Sequence, residues 1–322
     1  MKKIITALCA VTALLLALPA AAQSYPTRPI KIINPFPGGP TDQFARIVAR
    51  KLQTELNQPV IVEGKPGAGG TIGVNSVAKA PADGYTLLVT SASTQIVQPV
   101  VRKSIPYDAE KDFIPLASSG LTPQLIVVHP SVPATNLREL IDYARANPES
   151  LTYGSSGDGT GLHMAGVVFS TAAGVKLTHV PYKAAATALT DLLGGQVKMM
   201  FDSLANSGPY IRSGKLRGIA VMGEERLPAL PEIKTTAELG MPSMRFYSFL
   251  AMYVPSGTSP EIVDRLTKIL RTALVDPDAR AFFDAAGMPA RPTFGSDIAQ
   301  ASRMQRNELE DVVKKANLQP LD

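Results

Sequence analysis

"PIKIINPFPGGPTDQFARIVARKL", residues 29–52, decides the fold. A β-branched run, Ile30 to Ile33, leads into a loop that sets two glycines among prolines. That loop opens directly onto a segment with Phe44, Ile47, Val48 and Leu52 at helical spacing. Strand, short loop, helix is the repeating step of an α/β protein. The loop itself is the unusual part. Prolines stiffen it, and glycines let a ligand approach the main chain where a helix begins.

The same step recurs along the chain. Predicted strands are "PVIVEG", "YTLLVTS", "LTYGS", "LTHVPY", "VKMMFDS" and "LRGIAVMG"; predicted helices cover 42–56, a segment from Thr71, 160–172 and 184–194. Another helix starts at Asn136, with Glu139 three residues on as in a capping box. Alternation of this kind means βαβ units and mostly parallel sheets. Two apolar runs stand apart, "QLIVVHP" near 124–130 and "FYSFLAMYVP" near 246–255. Only helices are expected beyond the second: 258–275, one from Asp278 and one from Asp297. A chain that enters a middle block and returns must cross twice. The expectation is therefore an α/β molecule of two lobes joined by two crossover strands, with a ligand cleft between them. Lobe one would hold residues 23–124 plus 246–322, and lobe two residues 125–245.

The first 22 residues read as a secretory signal peptide. Lys2 and Lys3 precede an apolar run from Ile4 to Leu18, and Ala20-Ala21-Ala22 offers a cleavage site. The only cysteine, Cys9, would leave with it, so no disulfide or thiol chemistry is expected of the mature protein, and export is read from the signal alone. Losing Lys2 and Lys3 leaves 30 basic residues against 27 acidic ones, a net of +3. With charges scattered, aromatics few and no tryptophan, a nucleic-acid groove is not expected.

The first loop has a counterpart in the other lobe, "YGSSGDGTGLHMAG", residues 153–166. Each follows a predicted strand and opens a helix. Ligands of open α/β sheets bind outside the carboxyl ends of the strands, so two facing loops would form one site with two walls. Helix N-termini carry unpaired N–H groups and partial positive charge, which favours anions. Thr41, Ser155, Ser156 and Thr160 add hydroxyls, and neither loop contains Lys or Arg. For each loop alone, a tight strand-to-helix turn is the plain alternative. Asp42 and Asp202 follow strands, and each either caps a helix or meets a ligand hydroxyl or ammonium. Ser91, Ser93 and Thr94 end a further strand of the first lobe.

Other chemistries find little support. "GGPTD" lacks the G-K-[ST] ending of a P-loop, no G-x-G-x-x-G follows the first strand, and no H-E-x-x-H or C-x-x-C occurs, so neither metal nor cofactor is expected. "GSSGDG" breaks the G-x-S-x-G spacing. A hydrolase triad of Ser155, His163 and Asp202 can be composed, but His163 also reads as a first-turn residue pairing with backbone, and His129 and His179 as strand-end structural residues.

"RPIKIINPFPGGPTDQFAR", "VIVEGKPGAGGTIG", "PADGYTLLVTSAS", "IPYDAEKDF", "LTYGSSGDGTGLHMAG", "HVPYKAAATALTDLLGGQVKMMFDS", "GKLRGIAV" and "VPSGTSPEIVDRL" occur in the order seen in the Bug family. These are the periplasmic solute-binding proteins of tripartite tricarboxylate transporters, and the resemblance spans the mature chain. It implies a two-lobed periplasmic binding protein fold, type II-like, that closes on a small mono- or dicarboxylate, aromatic acids included. The complex would be delivered to the transporter's membrane components by a monomeric receptor. A sensor for a membrane signalling protein and a secreted hydrolase are the alternatives. Carried over by motif position, one wall is Phe36, Gly39, Pro40, Thr41 and Asp42 with Ser91 and Ser93. The other is Ser155, Ser156, Gly159 and Thr160, with Asp202 at the far end. "PFPGG" stands where the family has "PFPPGG", Gly64 and Lys65 where it has Asn and Arg, and Tyr247 and Phe249 near a usual Trp.

Overall fold

The computed structural model describes residues 25–148, 150–288 and 291–322; the signal-peptide reading lies outside them. In chain order the elements are β1 (Ile30–Asn34), α1 (Pro40–Leu56), β2 (Val60–Gly64), α2 (Thr71–Ala78), β3 (Thr86–Ser91), a π-turn (Ser93–Val97), α3 (Gln98–Val101), β4 (Phe113–Ser118) and β5 (Thr122–Val128). There follow α4 (Leu137–Ala146), β6 (Thr152–Ser155), α5 (Gly161–Ala173), β7 (Thr178–Pro181), α6 (Ala185–Leu193), β8 (Met199–Asp202), α7 (Leu204–Arg212) and β9 (Arg217–Met222). The chain ends with β10 (Tyr247–Ser248), β11 (Leu250–Pro255), α8 (Pro260–Ala273), α9 (Pro277–Ala286), β12 (Thr293–Phe294) and α10 (Ser296–Lys315).

Two sheets carry the two lobes. The first runs β12-β4-β11-β3-β1-β2; the second runs β10-β5-β8-β6-β7, with β9 also paired to β5. Parallel pairing holds between β1 and its neighbours and between β6 and its neighbours, as βαβ alternation requires. The returning strands run antiparallel: β11 against β3 and β4, β5 against β8 and β9. Strand pairing also moves the expected lobe boundaries. Residues 122–124 and Tyr247–Ser248 belong to the second sheet, so the chain changes sheets at residues 119–121 and at Phe249. The two crossings hold each other: Ser119 N–H donates to Leu250 O at 2.8 Å, and Leu250 N–H to Ser119 Oγ at 3.1 Å. Strand β12 corrects the expectation of helices alone after residue 255.

Side-chain alternation builds the core on both faces of each sheet. In β5, Leu125 and Val127 pack beneath α6 and α7, while Ile126 and Val128 face the opposite way. In β3, Leu87 and Val89 meet α1 and α8, and Leu88 turns toward the other lobe's cluster. That last cluster is continuous between lobes, running from Ile33 and Leu88 through Ile96, Val97 and Phe246 to Phe169 and Phe201. Helix α1 begins where Pro40 occupies its first turn, buries Phe44, Val48 and Leu52, and stops at the left-handed Asn57.

Candidate functional site

Both Gly-rich loops sit at carboxyl ends of parallel strands, β1 and β6, and both open helices. The first is shaped by Asn34, the last residue of β1 and fully buried. Its Oδ1 accepts the Phe36 N–H at 2.9 Å, and its Nδ2 donates to Asp42 Oδ1 at 3.0 Å. Asp42 also accepts from Arg46 Nε at 2.9 Å. Asp42 does not cap the helix: the N-cap is Gly39, without side-chain capping, and the Asp42 carboxylate accepts from Asn34 and Arg46. The ring of Phe36 lies on Gly70. A Cβ there would stand 2.6 Å from Phe36 Cζ, so the "GAGG" turn is glycine to admit that ring. Pro37 packs similarly on Gly64, where a Cβ would fall 3.2 Å away. Thr41 is 5% exposed and its hydroxyl has no partner among the described residues, while Pro40 and Gly39 are half-buried.

The second loop is closed by its own side chains. Ser155 Oγ accepts from Gly157 N at 3.0 Å, lies 3.1 Å from Gly157 O, and meets His179 Nε2 at 2.6 Å. Thr160 Oγ1 donates to Gly157 O at 2.7 Å. His163 Nδ1 accepts the Gly159 N–H at 3.1 Å, as a helix first-turn residue was expected to do. The imidazoles of His163 and His179 stack, centroids 4.1 Å apart and planes 11° apart, and Tyr153 stacks on the far face of His179 at 4.8 Å. Burial pushes the His163 pKa down to about 4, helped by His179; burial also lowers that of His179. Ser156 is half-buried.

The second loop touches the first lobe at the segment after β3. Gly161 N–H, at the start of α5, donates to Ser93 Oγ of the first lobe at 3.3 Å, and Gln98 Nε2 donates to Gly159 O at 3.0 Å. Leu321 and Val101 press on the same glycine; a Cβ on Gly159 would stand 2.9 Å from Leu321 Cδ1 and 3.1 Å from Val101 Cγ2. Arg102 in turn binds Gln98 Oε1 and the Asp322 carbonyl. Ser91 contributes its carbonyl to Thr94 at 3.3 Å. Asn34, Gln98, His163, His179 and Leu321 were not among the expected site residues. Nothing in their spacing places His163 beside His179, or Leu321 beside Gly159, because those meetings exist only after folding.

Asp202 is 1% exposed at the end of β8 and accepts from Asn206 Nδ2 at 3.0 Å and Ser207 Oγ at 2.6 Å. Burial raises its pKa against those two bonds. It tethers the first turn of α7, whose N-cap is Ser203. The composed triad of Ser155, His163 and Asp202 is not assembled. A different trio has the right order, Ser155, His179 and Asp158, with His179 Nδ1 3.4 Å from Asp158 Oδ1. Ser155 is fully buried, its hydroxyl taken up by Gly157 and His179. Asp158, His163 and His179 offer ligand atoms within 4.8 Å of one another. One ion about 2.1 Å from both imidazole nitrogens would have to lie in both ring planes. Stacked, nearly parallel rings do not converge on such a point. A cavity of about 390 Å³ opens beyond Phe246, between Ile96, Val97, Leu309 and Val312, with Arg245 and Glu308 at its mouth. Phe246 separates it from the loops, its Cε1 being 3.6 Å from where a Gly161 Cβ would stand. No helix among the described residues is long and apolar enough to cross a membrane.

Comparison with known proteins gives this geometry its relatives. Residues 44–318 match the tripartite tricarboxylate transporter family receptor. BugT of Bordetella pertussis is 36% identical over 274 residues, covering 84% of each chain. An R. palustris protein solved with adipate superposes with a TM-score of 0.83 at 33% identity, over 92% of this chain and 100% of that one. MatC from Rhodopseudomonas palustris with bound malate gives 0.79 at 29% identity, over 90% and 100%.

Proposed function

The chain belongs to the tripartite tricarboxylate transporter receptor family, and from that premise we propose that it captures a small organic carboxylate between its two strand-to-helix loops. The contact of the second loop with the first lobe beside β3, Gly161 N–H on Ser93 Oγ, is the observation that carries this reading. Each loop ends at a helix N-terminus, and neither contains a cation. A carboxylate would be met by backbone N–H groups, by helix dipoles and by the hydroxyls of Thr41 and Ser93. Each helix end contributes about 0.3 to 1 kcal/mol, or up to about 2 when partly buried. Charge-assisted hydrogen bonds contribute about 1.5 to 3 kcal/mol each. Two helix ends and three or four such bonds support micromolar binding, which needs about 8 kcal/mol net.

Within this reading the expected residues divide. Phe36, Gly39, Pro40, Thr41, Ser91, Ser93, Ser156, Gly159 and Thr160 form the walls. Ser155, Asp42 and Asp202 hold those walls in place through the bonds described above. The relatives solved with adipate and malate favour aliphatic dicarboxylates as the first acids to try. The exported, periplasmic form would act as a monomer, present the closed lobes to the transporter's membrane components and perform no chemistry. Native mass spectrometry after purification from the periplasm, followed by calorimetry with adipate, malate and aromatic acids, tests the reading. One acid at one-to-one stoichiometry is expected; a panel without heat or thermal stabilisation would contradict it.

A further inference from the structure

We propose that the stacked pair His163 and His179 positions the second loop in its closed form, with His163 as a pin that acid withdraws. The pin acts at Gly159, where the lobes meet. One side of that residue, its N–H, is held by His163 Nδ1; the other, its carbonyl, is held by Gln98 from the first lobe. Its φ of +67° suits glycine and leaves the loop no β-carbon with which to hold itself. Loop position therefore depends on those two bonds and on the contacts of Leu321 and Val101.

His163 can accept from Gly159 only with Nδ1 unprotonated, which fixes the Nε2–H tautomer. A second proton would set N–H against N–H and put a positive charge on a buried ring stacked 4.1 Å from His179. The groups facing the pair among the described residues are few. Asp158 of the loop is 3.4 Å from His179 and exposed. Tyr153 of β6 covers the other face of His179, its hydroxyl donating to His163 O at 3.3 Å and kept protonated by burial. Ser155 meets His179 Nε2. No cation faces the stack, and one exposed carboxylate is poorly placed to shield two imidazolium rings, so burial favours the neutral pair near pH 7. Protonation frees Gly159, and the bond to Gln98 goes with it.

The consequence for ligand capture rests on the carboxylate reading; the pin itself does not. The experiment is therefore done first on the full mature chain without ligand, by side-chain and amide NMR from pH 7 to about 4. His163 is expected as the Nε2–H tautomer, titrating well below the ordinary imidazole range, with the Gly159 amide shifting along the same curve. The variant His163→Asn offers a non-titrating acceptor at the same reach, and its Gly159 amide is expected to stay fixed. His163→Leu keeps bulk without an acceptor and is expected to show the displaced amide already at pH 7. Titration of His163 in the ordinary imidazole range, or a Gly159 amide indifferent to it, overturns the proposal. With adipate or malate as probe, affinity is expected to fall toward pH 4 about tenfold further in wild type than in His163→Asn, protonation of the acid itself being common to both. An equal fall in the two proteins would also overturn it. If neither acid binds but the NMR behaviour holds, the failure belongs to the ligand class and the pin stands.

Discussion

The two strand-to-helix loops do the same geometric work by opposite means. Residues 34–42 are stiffened from within by three prolines and one buried amide, Asn34, and they leave Pro37 and Gly38 in solvent. Residues 155–163 contain no proline; besides the bonds of their own Ser155, Thr160 and His163 they are held by side chains from elsewhere: His179 from β7, Gln98 from the first lobe, and Leu321 from the far end of the chain. A loop stiffened by its own covalent structure stays shaped when the lobes part. A loop held by distant partners changes when any of them leaves, so it is the one suited to report closure.

The largest expected difference is with pH. His163 has a folded pKa depressed to about 4 from 6.5, so its stabilising contribution is complete above the unfolded value. It is lost as pH falls from about 6.5 to about 4, and amounts to about 3 kcal/mol. Denaturant unfolding of wild type and His163→Asn at pH 7 and about pH 4 should show a loss smaller by that amount in the variant, and no such term from the first loop. Next come the glycines. Gly159→Ala meets Leu321 and Val101 as well as a φ of +67°, whereas Gly38→Ala has φ +81° and open space around it. About 3 kcal/mol is expected for the first and about 1 kcal/mol for the second, read from unfolding midpoints. Asn34→Ala removes the Phe36 and Asp42 bonds and should cost about 2 kcal/mol, with amide shifts confined to the first loop. Smallest is Gln98→Leu, about 1 kcal/mol. Its mark is mechanical, a larger radius of gyration in small-angle scattering of the unliganded chain, because one of the bonds joining the lobes is gone.

Much of this comparison was legible before the structure. The β1–loop–α1 step is written in local sequence, since periodicity, prolines and glycines all lie within 24 residues. The second loop was found by its likeness to the first. Elements that break local rules were not found. Strand β4 contains Pro115, which cannot donate to a ladder, and it is tolerated where the register with β11 shifts between Met252 and Tyr253. Helix α7 carries Gly208 and Pro209 inside its nine residues. The π-turn that presents Ser93 has no sequence signature of its own. At the site, hydroxyls and glycines were readable as residue types, but the partners that occupy Ser155, Asp42 and Asp202 were not. Those partners are set by folding, and they decide which hydroxyls remain for a ligand.

The most direct test of the central claim follows the backbone amides of residues 38–42 and 155–161 by NMR while adipate, malate and a panel of other carboxylates are titrated in. The account predicts that one acid shifts amides of both loops together, saturating at one ligand per chain. It would be contradicted if no acid moved them, or if the shifts gathered instead around Phe246, Leu309 and Val312 at the cavity behind.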